Sequence, residues 1–176
     1  MKIYWDYDSV LNKLHEAWFD WIDDYFGVRI ASEEVLYWDY IQKRLGEEAS
    51  TFFKCPSIYQ FDIVKRCEET LTVFNNIRHL IGNENIKIIS ATWPVTKVAK
   101  NAQICRYMDV REDQIINEYR KEDFTSDGIL IDDNIKNVYR HCSKNKKRGI
   151  VFDRNGKYGW SKHHNLTIDQ VLEVSS

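Results

Sequence analysis

The sequence predicts an α/β fold in which a parallel β-sheet is covered by helices on both faces. Short apolar runs alternate with amphipathic helical segments along the second half of the chain, which is typical of parallel strands joined by helices. The runs are apolar almost throughout, as strands buried on both faces are. Acidic residues directly follow several of these runs. With 176 residues, 43% of them hydrophobic, the chain can bury a core and is not disordered.

Charge and cysteine content narrow the classes of protein further. The 25 Lys and Arg residues nearly balance 27 Asp and Glu, for a net charge of −2, so we expect neither a stable nucleic-acid complex nor binding to a membrane surface. The 4 cysteines form no CxxC pair and are expected to be reduced, buried thiols. The sequence shows no apolar signal segment and no membrane span, so we expect a cytoplasmic protein.

The first half of the chain predicts one strand followed by helices. Residues 1–5 form a short apolar run, and residues 12–26 carry apolar side chains at three- and four-residue spacing up to Gly27. A second helix is expected to begin after Ser32 as its N-cap and to end at Gly46. A third helix is expected over residues 62–81. No clear strand lies between the first strand and residue 86, so this segment is interpreted as a helical insertion.

The second half predicts the remaining strands and their connecting helices. The strands are expected at Ile86–Ser90, at 115–119 (the weakest), at Gly128–Asp132 and at 149–153. Helices are expected over 95–108, over 134–142 and, as a short tail, after residue 167.

Acids and hydroxyls stand where several predicted strands end. Asp6 and Asp8 follow the first strand, Ser90 ends the second, and Asp132 and Asp133 close the strand of sequence GILID. The carboxyl ends of parallel strands meet at one edge of a sheet, where such sheets bind their ligands. Carboxylates gathered there would repel one another, and a Mg²⁺ ion, which prefers oxygen ligands, removes the conflict. The pattern therefore predicts a magnesium-dependent phosphate site.

The ordered set of motifs resembles the four motifs of the haloacid dehalogenase (HAD) superfamily of phosphohydrolases. The resemblance covers nearly the whole chain and is closest to the 5′(3′)-deoxyribonucleotidase branch. It implies a Rossmann-like, HAD-type core formed by residues 1–12 and 86–176, with a small helical cap domain formed by residues 13–85. It also implies an Mg²⁺-dependent phosphatase, a 5′-nucleotidase that hydrolyses (deoxy)ribonucleoside monophosphates to nucleoside and phosphate.

The resemblance also implies roles for the residues at the strand ends. Asp6 is expected to be the nucleophile that forms an aspartyl-phosphate, and Asp8 the acid that protonates the leaving oxygen. The side chains of Asp6 and Asp132 and the backbone carbonyl of Asp8 are expected to hold Mg²⁺, with Asp133 acting through water or in the surrounding shell. Ser90 is expected to bind a phosphoryl oxygen.

Two of these assignments have rivals in the sequence. Lys121, eleven residues before Asp132, is the first choice for the lysine that balances charge in the transition state, and Lys97 is the second. Thr92 competes with Ser90 for the phosphate, because a loop shift of one or two residues would exchange them. Ser9 stands where the family often has glycine, which is a mild departure from its pattern.

The substrate is expected to be a small phosphate ester. Aromatic residues make up 14% of the chain and are concentrated in its first 61 residues. Most are expected to pack the cap, but Phe52, Phe53, Tyr59 and Phe61, which are expected to lie outside a regular helix, are candidates for stacking on a base, and Trp93 follows the Ser90 loop. The substrate-binding set is therefore predicted to comprise Phe52, Phe53, Tyr59, Thr92 and Trp93.

Three readings of the function stay open at this point. The first is the nucleotidase, the second is a phosphatase for polynucleotide 3′ ends or another small phosphomonoester, and the third is a non-catalytic module that binds a phosphate ligand or a protein on this fold. The base, the sugar, the position of the phosphate and the oligomeric state, monomer or homodimer, are not determined by the sequence.

Overall fold

The computed structural model describes residues 1–35 and 39–152, and its centre is a five-stranded parallel β-sheet. The strands occur in the order β3-β2-β1-β4-β5, and every neighbouring pair is parallel, which confirms the predicted α/β class. The strands are β1 (Lys2–Asp6), β2 (Ile86–Ser90), β3 (Ile115–Asn117), β4 (Gly128–Asp132) and β5 (Gly149–Val151).

Helices connect the strands. The α-helices are α1 (Leu14–Phe26), α2 (Tyr40–Leu45), α3 (Ser57–Gln60), α4 (Glu68–Ile81), α5 (Lys97–Met108) and α6 (Ile135–Asn145). Short 3₁₀ helices occur at Ser32–Glu34, Glu47–Lys54, Asn83–Asn85, Pro94–Thr96, Glu112–Gln114 and Lys121–Asp123. Over the described ranges, no helix has the length and apolar character needed to cross a membrane.

The apolar strand β1 lies at the centre of the sheet and anchors the core. Ile3 and Trp5 are completely buried, and the Trp5 ring meets the rings of Phe74 on α4 and Phe152 after β5 edge to face, at centroid distances of 5.6 and 6.4 Å. Because β1 is paired with β2 on one side and β4 on the other, the carboxyl ends of all three strands meet at one edge.

The second predicted helix is not continuous. Ser32–Glu34 form only a 3₁₀ turn, Ser32 makes no capping hydrogen bond, and α2 begins at Tyr40. Val35 ends the turn with φ −78° and ψ 86°, and its side chain is buried in the core. The backbone therefore leaves the helical conformation at Val35. The Glu47–Lys54 3₁₀ helix and α3 hold Phe52, Phe53 and Tyr59, which were expected outside regular structure.

The third predicted helix begins at Glu68 rather than at residue 62. The preceding residues pair with the loop that leaves β1: Lys13 N–H donates to Lys65 O at 2.8 Å, and Cys67 N–H donates to Leu11 O at 2.9 Å. These backbone bonds take the groups that an earlier helical turn would need. Strand β3 is shorter than expected and α6 is longer. The end of the predicted strand 149–153 and the predicted tail helix lie outside the described residues.

We predict that Gly128→Ala destabilises the protein more than Gly149→Ala. A Cβ at position 128 would lie 2.3 Å from the backbone oxygen of Lys2, which cannot move without distorting β1. A Cβ at position 149 would first meet the side chain of Val138, at 2.7 Å, which can adjust. Overpacking of this kind costs about 1–3 kcal/mol, a loss of several degrees in Tm measured by thermal denaturation. Equal losses for the two variants would contradict this account.

Candidate active site

Three buried carboxylates form the centre of the candidate site. Asp6 at the end of β1 and Asp132 and Asp133 at the end of β4 each offer an oxygen atom within 4.8 Å of the others. The pairing of Trp5 with Ile131 in the β1–β4 register brings the next residue of each strand, Asp6 and Asp132, to the same level. The sheet therefore assembles the acids that the sequence placed at strand ends.

Lys121 lies between two of these acids. Its Nζ is 2.8 Å from Asp6 Oδ1 and 2.7 Å from Asp132 Oδ2, and the side chain is almost fully buried. Thr125 Oγ1 donates to the backbone oxygen of Lys121 at 3.0 Å and so holds the 3₁₀ turn that carries it. Lys97, the rival candidate, is exposed at the start of α5. The structure brings Lys121 to the acids.

Backbone and amide donors fix the orientation of the acids. Asp132 Oδ1 accepts from the backbone N–H of Asn134 at 2.8 Å, and both Asp132 oxygens lie within 3.2 Å of Asn137 Nδ2. Asp6 Oδ1 accepts from the backbone N–H of Tyr7 at 2.8 Å. Such donors stabilise the ionised carboxylates in a buried setting.

Asp8 is held by a separate group of donors. Asn12 Nδ2 donates to Asp8 Oδ1 at 3.1 Å, and Ser90 Oγ donates to Asp8 Oδ2 at 3.2 Å. Lys100 on α5 forms an ion pair with the same Oδ2, donates to Ala91 O at 3.1 Å and is 1% exposed. Sequence reasoning missed Lys100, because hydrophobic spacing along a helix gives no signal for a buried lysine.

His15 is a second residue that sequence reasoning missed. It lies on α1, is 6% exposed, and its Nδ1 is 3.8 Å from Asp133 Oδ2. Its ring stacks on Phe19 at a centroid distance of 6.0 Å. Because α1 belongs to the helical segment after β1, His15 brings that segment into contact with the acids of the sheet edge.

A cavity of about 250 Å³ opens onto this cluster. Acidic, basic and aromatic side chains share its wall, and among the aromatic ones are Phe53, Tyr59, Trp93 and Tyr119. The Trp93 and Tyr119 rings meet edge to face at 6.2 Å, and Lys54 Nζ lies 4.8 Å from the centre of the Trp93 ring. Tyr119 lies two residues after the end of β3, and sequence reasoning did not single it out.

The predicted substrate-binding residues divide into two groups. Phe53, Tyr59 and Trp93 line the cavity. Phe52 is 4% exposed and packs against Trp21 at 5.7 Å, in a different groove, because the 3₁₀ helix turns adjacent side chains in different directions.

Thr92 is also absent from the cavity wall over the described residues, because its hydroxyl is turned back to Ser90 O at 3.3 Å. The structure thus does not bring Phe52 and Thr92 to the cavity wall, and their contact with substrate stays a prediction.

Burial dominates the electrostatics of the cluster. It raises the pKa of Asp6 to about 7, Lys121 opposes this rise, and the charges of Asp132 and Asp8 add to it. Burial also raises the pKa of Asp133 well above its usual range, with Asp6 and Asp132 contributing. Burial lowers the pKa of Lys121, but the two adjacent carboxylates outweigh it, so that pKa is raised and the ammonium stays charged.

The donor set fits a hard divalent cation. The four carboxylates described above face two lysine ammonium groups, those of Lys121 and Lys100, so the ionised cluster keeps an excess of two negative charges. Mg²⁺ carries the compensating charge and prefers carboxylate and carbonyl oxygens. No sulfur ligand and no ligating pair of histidines is present at the cluster in the described part of the chain, which favours Mg²⁺ over a transition metal.

Comparison with solved structures shows the fold. A HAD hydrolase of family IA, variant 3, from Entamoeba histolytica is 12% identical over 99% of this chain and 98% of that chain, with a TM-score of 0.52. The HAD domain of the effector protein Lem4 from Legionella pneumophila, at 11% identity over 92% of this chain and 90% of that one, has a TM-score of 0.41. No family model matches the chain, and no curated protein matches it significantly. The likeness to the Entamoeba structure shows that the chain has the HAD fold.

We predict that Mg²⁺ stabilises the protein, and more so at pH 8 than at pH 5.5. The pKa of Asp6 rises from 3.8 to about 7 on folding, so the folded state binds more protons than the unfolded chain between these values. The stability of the metal-free protein therefore falls as the pH rises through this window. Mg²⁺ binds the ionised carboxylates, so its stabilising effect grows with pH.

The measurement is a thermal melt with and without Mg²⁺ at both pH values. At a concentration near 100 times Kd, the expected gain at pH 8 is roughly 5–10 °C. Asp132→Asn should lose most of the gain, and Asp24→Asn, an exposed acid on α1, should keep it. A gain of equal size in all three proteins would show that Mg²⁺ acts elsewhere.

Proposed function

We propose that the protein is an Mg²⁺-dependent phosphomonoesterase that acts through an aspartyl-phosphate on Asp6. The observation that carries the proposal is the ion pair of buried Lys121 with both Asp6 and Asp132, beside Asp133 and at the base of a cavity. Burying paired charges costs free energy, and apolar side chains of similar volume are often at least as stable. Four acids at an open cavity therefore favour a chemical role over a purely structural one. The HAD fold is consistent with this chemistry but does not by itself establish it.

The residues present can carry out both halves of the reaction. Asp6 attacks the phosphorus atom, its new O–P bond forms as the ester P–O bond breaks, and Asp8, which enters this step protonated, gives its proton to the leaving oxygen. In the second step, Asp8 takes a proton from the water that attacks the aspartyl-phosphate. This attack breaks the O–P bond to Asp6, so inorganic phosphate is released and Asp6 is restored. Asn12 and Lys100 hold Asp8 in a fixed position for both steps.

Positive charge is needed because a carboxylate attacks a phosphate dianion. Asp6, Asp132 and the backbone carbonyl of Asp8 would hold Mg²⁺, with Asp133 beside them, and the ion neutralises charge on the phosphoryl group when it is bound. Lys121 is already charged and buried, so it stabilises the transition state without reorganising. Ser90 donates to a phosphoryl oxygen when substrate displaces its contact with Asp8.

The first test is the loss of activity in Asp6→Asn. The amide cannot act as the nucleophile, so the rate of phosphate release from p-nitrophenyl phosphate should fall by at least about 10³-fold, which corresponds to roughly 4 kcal/mol in the barrier. The matched control, Asp24→Asn on the exposed face of α1, should keep wild-type activity and both should keep the wild-type circular dichroism spectrum. Near wild-type turnover by Asp6→Asn would refute the assignment of the nucleophile.

We propose a nucleoside monophosphate as the substrate, and hence a 5′-nucleotidase of the deoxyribonucleotidase type acting in nucleotide metabolism. Phe53, Trp93 and Tyr119 give the cavity an aromatic wall, with Trp93 41% and Tyr119 52% exposed before any ligand is bound. Flat exposed rings at a cavity mouth stack readily on a nucleobase. The volume of about 250 Å³ suits a small phosphate ester rather than the end of a folded polymer.

The second test compares two variants, Trp93→Ala and Phe61→Ala, on a panel of phosphate esters. Trp93→Ala should raise KM for the preferred nucleoside monophosphate about 10-fold, since stacking on one ring contributes ~1–3 kcal/mol, and should leave KM for a small alkyl phosphate unchanged. Phe61→Ala is the control, because Phe61 is 74% exposed and does not line the cavity. The panel contains 5′ and 3′ monophosphates of each base. Turnover of all of them no faster than an aryl phosphate would remove the nucleotide from the proposal.

A further inference from the structure

Ser9 lines the cavity, and its buried hydroxyl has no role in the mechanism above. Ser9 is 4% exposed, and its Oγ has no hydrogen-bond partner among the described residues. The residue lines the same cavity as Asp6, Asp8 and Asp133. A buried hydroxyl normally has a hydrogen-bond partner, because burying it without one costs stability. Because Ser9 belongs to the cavity wall, a molecule that fills the cavity can supply the missing partner once the side chain turns towards it.

The backbone holds Ser9 in an unfavourable conformation. Its φ is +60°, in the left-handed region that favours glycine. Asn12 maintains this conformation, because Asn12 Oδ1 accepts from the backbone N–H of Ser9 at 2.9 Å and from that of Leu14 at 3.1 Å. The same Asn12 side chain donates to Asp8. Ser9 is thus fixed on the loop that also carries Asp6 and Asp8.

We propose that the Ser9 hydroxyl donates a hydrogen bond to the phosphoryl group of the bound phosphate ester. This inference rests on the proposed function only in that the ligand carries a phosphoryl group. The phosphoryl group is the part of the substrate that must reach Asp6, and Ser9 follows Asp6 by three residues on a loop held by Asn12. A hydroxyl donor satisfies an anionic oxygen without adding charge to a site that already holds two ammonium groups.

The experiment measures the binding of inorganic phosphate, which needs no turnover. Wild type, Ser9→Ala and Ser9→Gly are titrated with phosphate in the presence of Mg²⁺ by isothermal titration calorimetry, and each is melted without phosphate. Ser9→Ala removes the hydroxyl at an unchanged backbone, and Ser9→Gly also relieves the positive φ. Ser50→Ala is the control, a half-buried serine that lines the same cavity from the helical segment.

Both Ser9 variants should bind phosphate about 10-fold more weakly, as expected for the loss of a hydrogen bond to a charged group. Without phosphate, Ser9→Ala should melt at or above the wild-type temperature, because it removes an unpartnered buried group, and Ser9→Gly should melt higher still. Ser50→Ala should bind phosphate as wild type does. A purely structural hydroxyl would instead lower the melting temperature when removed.

Three results would overturn the inference: unchanged phosphate affinity in both Ser9 variants, a loss confined to larger esters, or no phosphate binding by the wild type. A loss confined to larger esters would place the contact on the leaving group. The proposed function can fail separately. If Ser9→Ala binds phosphate more weakly but the protein turns over no phosphate ester, the inference about Ser9 is upheld and the phosphatase activity is refuted.

Discussion

The ion pair of Lys121 with Asp6 and Asp132 is the interaction on which the candidate site depends. A lysine ammonium that is 2% exposed is tolerated only where nearby negative charge repays its lost hydration. Here the two carboxylates come from neighbouring strands and the lysine comes from the turn before β4, so the pair joins three separate segments. Loss of any one partner would leave an uncompensated charge in the interior, which is costly.

The part of the site that the sequence predicted is the part that the sheet determines. Asp6 and Asp132 end apolar runs that predicted buried parallel strands, and the carboxyl ends of such strands meet at one edge whatever the strand order. The position of Lys121 before β4 was predicted from a family resemblance, and its turn brings it to the same edge. The fold class and the approach of Asp6 to Asp132 therefore follow from local pattern and one topological rule, whereas the prediction of Lys121 needed the family resemblance.

The parts that the sequence did not predict depend on contacts between distant segments. The backbone leaves the helical conformation at buried Val35, and residues 62–67 lose their helical turn to pairing with the loop after β1. Lys100 and His15 lie on helices whose orientation over the sheet fixes which acid they meet. Phe52 and Phe53 differ by one position in a 3₁₀ helix, yet only Phe53 reaches the cavity. Hydrophobic spacing carries no information on such contacts.

The two buried lysines divide the acids into separate groups. Lys121 pairs with Asp6 and Asp132, and Lys100 pairs with Asp8, although Asp6 and Asp8 are only two residues apart. Asp6, the proposed nucleophile, and Asp8, the proposed proton donor, therefore lie at one strand end without sharing a lysine. Each acid can change its charge during a reaction while the lysine partner of the other acid stays in place. The hydroxyl of Ser90 and the amide of Asn12 add neutral donors to Asp8 alone. The charges of Asp6 and Asp8 still act on each other, since Asp8 adds to the raised pKa of Asp6, but each acid has its own lysine partner for attack or for proton transfer.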